Sequence, residues 1–265
     1  MSRPLGGYIG HRPVPAAVAE NSAAVGMWTL REAQRFKQAG TWPASSGSDA
    51  FFSNVALLLH MNGTGDNFVD SSGTPKEIYA GGSVTQSTAE SKFGGKSAYF
   101  STSNDSLSFA DLGIGTGDFA IELFLKSNSS VQYAQIIGNE TSESEAGFSL
   151  LINNNSAGGG QIALYRGGSI VSSSIFTDFT DNEWHHIAAS RSGTTVRLYV
   201  DGTVLSTATS SANFTSSANT FVARNDIFSP RNVVGYIDEL RITVGSARGY
   251  TGPTIAVPAA AFPDA

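Results

Sequence analysis

The chain contains no cysteine, which excludes disulfides and thiolate metal sites. Charge is sparse too, with Asp, Glu, Lys and Arg making up 14% of its 265 residues. A net charge of −6 and the lack of any run of like charge leave no basic face for nucleic acid. No stretch approaches the roughly 18 apolar residues needed to span a bilayer. The opening residues, Met1-Ser-Arg-Pro-Leu-Gly-Gly-Tyr-Ile-Gly-His11, lack the apolar centre of a secretory signal, so synthesis and assembly in a cytoplasm are expected. What is present is a chain 40% hydrophobic whose remainder is dominated by Ser, Thr, Asn and Gly. That mix suits short strands and many turns, and about 200–250 residues is a usual size for one all-β sandwich.

Period-two alternation supports this. In Phe119–Lys126, residues Phe119, Ile121, Leu123 and Leu125 fall on one face, as expected of a sheet with one buried side. In Thr195–Val200, Val196, Leu198 and Val200 share a face opposite Arg197 and Tyr199. Further strands are predicted at 55–61, 96–101, 134–138, 147–152, 161–166, 169–175, 183–191, 220–223 and 235–244. Asp201-Gly202 supplies the positive φ of a tight hairpin.

Two stretches carry more than periodicity. Trp184-His-His-Ile-Ala-Ala-Ser-Arg-Ser-Gly-Thr-Thr-Val-Arg-Leu-Tyr-Val-Asp-Gly202 and Gly235-Tyr-Ile-Asp-Glu-Leu-Arg-Ile242 together resemble the laminin-G-like, concanavalin A-type family. Val55-Ala-Leu-Leu-Leu-His-Met-Asn-Gly63, Asp70-Ser-Ser-Gly73 and Lys92-Phe-Gly-Gly-Lys-Ser-Ala-Tyr-Phe100 fit the same pattern. The resemblance spans about residues 50–245. It implies an all-β jelly-roll sandwich of two antiparallel sheets, used mostly for binding, with the Trp184-x-His186 strand in the core.

The flanks read differently. Residues 1–49 form an N-terminal arm, extended at first because Pro4, Pro13 and Pro15 disfavour helix. A short helix follows at about 29–39: Thr29 and Glu32 make a capping box, and Gly40 is a natural stop. Such a helix is too short to stand alone, so Trp28, Leu30, Phe36 and Trp42 are candidate attachment residues. Gly26-Met-Trp-Thr-Leu-Arg-Glu-Ala-Gln-Arg-Phe-Lys-Gln-Ala-Gly-Thr-Trp-Pro43 is similar to a segment of bacteriophage structural proteins. Residues 246–265, with three prolines, read as an extended tail.

The fold class named by the resemblance also hosts glycosidases, which need two carboxylates roughly 5–9 Å apart. In jelly-roll glucanases these come from one strand as Glu-x-Asp-x-x-Glu or Glu-x-Asp-x-Glu, and no such run occurs here. Asp238 and Glu239 are adjacent, so strict alternation would send them to opposite faces. Glu140, Glu143 and Glu145 lie in a Ser/Thr-rich loop, and His185 and His186 also point apart. The chain is read as a non-enzyme. Related jelly rolls hold a structural calcium where the loop after the first strand meets a late strand. That resemblance implies Asp70 and Asp238 as ligands, with Asn62 where the family often has Asp; the rival role for Asp238 is accepting hydrogen bonds from loop amides. Tyr133, Tyr165, Arg166, Asn225, Asp226 and Arg231 are candidates for a glycan site on a loop end or sheet face.

The resulting expectation is a bacteriophage virion protein displaying a lectin-like domain. A tail-fibre or baseplate adhesin recognising host-surface glycans is the first reading, and a capsid decoration or head-fibre protein the alternative. A cellular carbohydrate-binding module or degenerate glucanase is the rival class. Expected partners are tail or capsid proteins and sister copies, with a trimer as the first guess, and neither nucleic acid nor membrane insertion is expected.

Overall fold

A computed structural model describes residues 49–140, 147–153, 160–167, 169–175, 178–224 and 231–265. The predicted helix, the attachment residues Trp28, Leu30, Phe36 and Trp42, and the glycan candidates Asn225 and Asp226 lie outside these. Chain contacts separate a unit of Ala50–Phe262 from a second made of Met1–Asp49 and Pro263–Ala265. The larger unit is described below. No helix among the described residues is long and apolar enough to cross a membrane.

Apart from one 3-10 turn at Phe52–Asn54, the described elements are strands. They are β1 (Val55–Leu59), β2 (Tyr79–Gly81), β3 (Thr85–Ser87), β4 (Ser97–Phe100), β5 (Ser106–Phe109), β6 (Phe119–Lys126), β7 (Ala134–Gly138) and β8 (Ser149–Ile152). Then come β9 (Gln161–Arg166), β10 (Ser169–Ile175), β11 (Trp184–Ser192), β12 (Thr195–Val200), β13 (Thr203–Thr209), β14 (Thr220–Val222) and β15 (Gly235–Val244). They form two antiparallel sheets. One runs β13-β12-β11-β6-β15-β4-β3 with β1 also on β15, and the other runs β10-β9-β8-β7-β14-β5-β2.

The core lies between the sheets. Phe119, Ile121, Leu123 and Leu125 of β6 meet it on one parity, as do Val196, Leu198 and Val200 of β12, so the alternation seen in the sequence is the inward face. Leu107, Val222, Ile137, Leu150 and Leu164 line it from the other sheet. Asp201 (φ 49°) and Gly202 (φ 77°) form the two-residue turn between β12 and β13, a φ > 0 pair that matches strand twist. At one end of the core Arg191 is fully buried. Its guanidinium stacks 4.8 Å from the Phe214 ring centroid and donates to the carbonyls of Gly117, Ala212 and Gly115.

β15 organises the larger sheet. Along one edge it pairs with β4 through Gly235–Ile237 and then with β1 through Leu240–Thr243. The exchange of partners falls at a β-bulge between Asp238 and Arg241, with Glu239 at φ 51°. Ile237, Leu240 and Ile242 face the core, so Asp238, Glu239 and Arg241 all point outward. The two adjacent carboxylates therefore share a face, contrary to the expectation from strict alternation, because a bulge adds one residue to the period.

That outer face is covered. Glu122 is 0% exposed and accepts from Arg241 Nε at 3.0 Å and Nη2 at 2.8 Å, and from the Tyr250 hydroxyl at 2.8 Å. His186 and Arg248 each approach it to 3.4 Å. Burial pushes the Glu122 carboxyl up, but His186 and the two arginines pull it further down, to about 2. Burial and the Glu122 charge push the Tyr250 hydroxyl up.

The segment after β15 straps over this network. Tyr199 donates to the Gly252 carbonyl, Val204 N to Pro253 O and Ile255 N to Gly202 O, and Phe262 N to Glu239 at 2.9 Å. The Phe262 ring lies 3.8 Å from the Arg241 guanidinium and packs with Val55 and Leu58. The predicted extended tail thus adheres to the sheet through Phe262. Trp184 corrects another expectation: it shares the outward parity of His186, as predicted relative to that residue, but is only half-buried and outside the core.

Candidate functional site

The larger sheet's outer face is mostly covered, and that of the seven-stranded sheet is partly exposed, with Ala163, Leu151 and Ser149 buried in it. One register row crosses all seven strands. Tyr79 pairs with Ser108, Ser108 with Phe221, Phe221 with Gly138, Gly138 with Ser149, Ser149 with Tyr165, and Tyr165 with Ile170. The neighbouring row is the core row Leu107–Val222–Ile137–Leu150–Leu164, so side chains of the first row point away from the core. Tyr79 is 53% and Ile170 55% exposed; Phe221 and Tyr165 are half-buried.

Small residues separate the rings. A Cβ on Gly138 would lie 2.6 Å from the Phe148 carbonyl oxygen, which restricts that position to glycine and leaves a low point beside Phe221. At about 4.8 Å per strand, Tyr79 and Phe221 stand about 10 Å apart and Phe221 and Tyr165 about 14 Å. The rings thus alternate with small residues, Ser108 on one side of Phe221 and Gly138 and Ser149 on the other.

The two ends of this face differ. At one, the Arg231 guanidinium stacks 4.7 Å from the Tyr133 ring centroid and that of Arg224 lies 5.5 Å from Phe221. Both arginines are anchored to one residue of β7: Gln135 N donates to Arg231 O at 2.8 Å, and the Gln135 side-chain amide donates to Arg224 O. Tyr133 adopts φ 55° in the turn leading into that strand. At the other end the Ser149 hydroxyl lies 2.7 Å from Glu140 Oε2, Asn139 Nδ2 donates to Asp111 at 2.6 Å, and Arg166 Nε to Asn213 O at 3.5 Å.

Of the glycan candidates, Tyr133 and Arg231 are therefore brought together, Tyr165 lies in the central row, and Arg166 stands at the opposite end. Tyr79, Phe221 and Arg224 were not identified from the sequence. Their strands are three residues long or adjoin such a strand, too short for period two to assign a face.

The calcium candidates hold separate loops. Asp70 is buried, and its Oδ1 accepts from Leu58 N and Ser72 N, each at 2.9 Å. Its Oδ2 accepts from the Ser72 hydroxyl at 3.0 Å and Lys76 N at 2.8 Å. Asp238 Oδ2 accepts from Lys92 N at 2.7 Å and Phe93 N at 3.0 Å, the amide-binding role weighed for it, while its Oδ1 is buried without a hydrogen bond. Burial, with Glu239 alongside, pushes the Asp238 carboxyl up to about 7 against those amide bonds. Asn62 is exposed. Calcium takes six to eight oxygen ligands, and no group of three or more His, Asp or Glu side chains converges among the described residues. With Asp70 engaged by N–H and O–H donors, these residues do not fit a shared calcium site.

The architecture defines the class: a two-sheet antiparallel jelly roll. The chain belongs to the concanavalin A-like lectin/glucanases superfamily, whose family model matches residues 94–246, more than half its length. Among solved structures it is similar to domain 4 of AbnA, an extracellular arabinanase of Geobacillus stearothermophilus in complex with arabinotriose. That match has 18% identity, a TM-score of 0.56, and covers 73% of this chain and 94% of the other. The binding domain of Paraclostridial Mosquitocidal Protein 1 matches at 14% identity and TM-score 0.58, covering 74% of this chain and 50% of that one. The botulinum neurotoxin serotype D binding domain matches at 16% identity and TM-score 0.56, covering 75% and 50%. The chain thus spans about half the length of these toxin domains. No curated protein matches it.

Proposed function

We propose that this domain is a non-catalytic carbohydrate-binding module whose glycan lies across the seven-stranded sheet. The observation that carries this reading is the outward row Tyr79–Phe221–Tyr165, with Tyr133, Arg224 and Arg231 at one end. Aromatic faces take the C–H surfaces of sugar rings, and the intervening Ser108 and the arginines at the end of the row carry donors for hydroxyls. The likeness to domain 4 of AbnA, recorded with arabinotriose over nearly its full length, supports it. Buried carboxylates hold structural contacts, Asp238 through its Oδ2 to the Lys92 and Phe93 amides among them, which favours binding over hydrolysis. Glu122 is tied to Arg241, Glu239 to His60 and Phe262 N, and Asp105 to Ser83 N and Ser101 N.

Display on a bacteriophage particle is part of the same proposal. It rests on the Gly26–Pro43 segment and its four apolar attachment residues. A tail or baseplate adhesin for host glycans is the first placement and a capsid decoration protein the second, with attachment through residues 1–43 as sister copies, a trimer first. The test of binding is affinity electrophoresis of the full chain through polysaccharide gels, comparing it with Tyr165→Ala/Phe221→Ala. Retardation lost in the variant is expected, and equal retardation would refute this face. Placement is tested by immunogold labelling of purified particles; absence of label from both tail and head would refute a virion role.

A further inference from the structure

The eight-stranded sheet carries a second outward row beyond the reach of its strap. Trp184 of β11 pairs with Lys126 of β6, Lys126 with Tyr236 of β15, and Tyr236 with Tyr99 of β4. Lys126 and Tyr236 lie two residues along their strands from Phe124 and Asp238, so they share that outward parity. The Phe124 row is covered: the Phe93 ring meets Phe124 edge-on at 5.4 Å and Lys92 Nζ sits 5.1 Å from the same ring. The Trp184–Tyr99 row is only partly covered: all four side chains keep some exposure, that of Lys126 being 13%.

Its chemistry is amphipathic. Tyr99 and Tyr236 stack with centroids 4.6 Å apart and planes 23° apart, and Trp184 stands two strands away, about 10 Å. Among the described residues neither the Trp184 indole N–H nor the Tyr99 and Tyr236 hydroxyls has a hydrogen-bond partner. Between the rings Lys126 Nζ pairs with Glu90 Oε2 at 2.9 Å, so the row is electrically balanced while offering both N–H donors and carboxylate acceptors. The Trp184 ring, the stacked tyrosine pair with its two hydroxyls, the indole N–H and a neutralised ion pair complement a ligand that is flat, hydroxylated and uncharged. A polyanion or polycation would find no uncompensated charge here.

We infer that this row is a second sugar-binding site, separate from the seven-stranded face, which takes a neutral oligosaccharide. The sugar stacks on Trp184 and packs against the outer edge of the Tyr99–Tyr236 pair, and Lys126 and Glu90 bond its hydroxyls. The four strands span about 14 Å, room for a short oligosaccharide. With a site on each outer face, one domain can bridge two glycan chains.

The test uses the full chain in affinity gels containing laminarin, arabinan or hydroxyethylcellulose. Trp184→Ala/Tyr236→Ala is expected to weaken binding to at least one polymer by about tenfold, comparable to one lost stacking contact, and Trp184→Phe to retain most of it. Migration of the Trp184→Ala/Tyr236→Ala variant with the parent in every gel overturns the inference, whatever Tyr165→Ala/Phe221→Ala does. Parent migration unretarded in all three gels overturns the carbohydrate reading of both faces. A readout that needs no destabilising change uses the chain carrying Trp28→Phe and Trp42→Phe, where Trp184 is the remaining indole. Its emission is expected to shift on adding laminarihexaose, arabinotriose or cellohexaose, and constant emission with all three overturns the site. Trp184→Ala converting an oligomer to monomer with glycan retardation intact would assign the row to a protein contact and overturn it too.

Discussion

Replacing Glu122 by Gln keeps shape and volume but removes the carboxylate that Arg241, Arg248 and His186 surround on the strapped face. Two arginines and a histidine approach that carboxylate within 3.4 Å, and it is 0% exposed. Removing one partner of a buried ion pair costs about 3–5 kcal/mol, because the opposite charges stay buried without compensation. The protonation equilibrium gives a similar figure. A fall from 4.5 to about 2 corresponds to about 3 kcal/mol of preference for the charged folded form. For a domain of this size about 3 kcal/mol is a drop in melting temperature of roughly 6–12 °C at neutral pH. The sign of the pH dependence follows from the depressed value: the contribution is present above 4.5 and is lost as pH falls through about 2. Glu122→Gln should therefore melt well below the parent at pH 7, and the gap should narrow as pH falls from 4.5 towards 2. Thermal denaturation by circular dichroism at stepped pH measures this. A gap of less than about 1 °C at pH 7 would refute the electrostatic account, and a large gap that stays constant in acid would show a steric cause.

Phe262→Ala removes a buried ring from the Arg241 guanidinium and from Leu58, and should cost about 3 kcal/mol in urea unfolding; a cost under about 0.5 kcal/mol would mean the strap does not hold the sheet. Gly202→Ala should destabilise the β12–β13 turn, since φ is 77° and the new Cβ would lie 2.6 Å from Ile255 O; faster amide exchange at residues 253–256 is the readout. His185 is pushed up by its hydrogen bond to Asp201 at 2.7 Å, with Asp181 adding to it. Its contribution is thus full below the ordinary histidine value and is lost as pH rises through the raised one, so the stability difference between parent and His185→Gln should shrink with rising pH. Incubation with laminarin, arabinan or alginate should release no reducing ends above background.

The strands that could be read from the sequence are those whose two faces differ in chemistry. Phe119–Lys126 and Thr195–Val200 alternate, and their inward residues are the core. β2, β3 and β5 were missed because three or four residues are too few to establish a period, although Leu107 and Phe109 of β5 alternate into the core, and β13 because it is rich in serine and threonine and has no fully buried residue. The orientation of Trp184 was misjudged for a related reason. Most of the β6 and β11 outer face is buried too, so apolar character does not tell inward from outward there. The bulge at Asp238–Glu239 escapes any period-two reading, since only the exchange of β4 for β1 along the edge of β15 requires it. On the seven-stranded sheet, Tyr165, Tyr133 and Arg231 were legible as aromatic and basic residues near strand ends, whereas their grouping depends on register between strands far apart in sequence.

The partner exchange along β15 also dictates when this sandwich can form during synthesis. β1, β4 and β6 are made early, yet Leu59 finds its neighbour at Leu240 and Leu123 lies in the strand that flanks Asp238 and Arg241. At about 5–20 residues per second, some 9–36 s pass between the making of Leu59 and that of Leu240. Until then three apolar strands of the larger sheet lack the strand that joins them. Pairings of such long sequence separation close slowly, in milliseconds to seconds. A nascent chain stopped before Gly235 has no seam strand at all, so truncated products should aggregate, and the domain should acquire protease resistance only after β15 has left the ribosome.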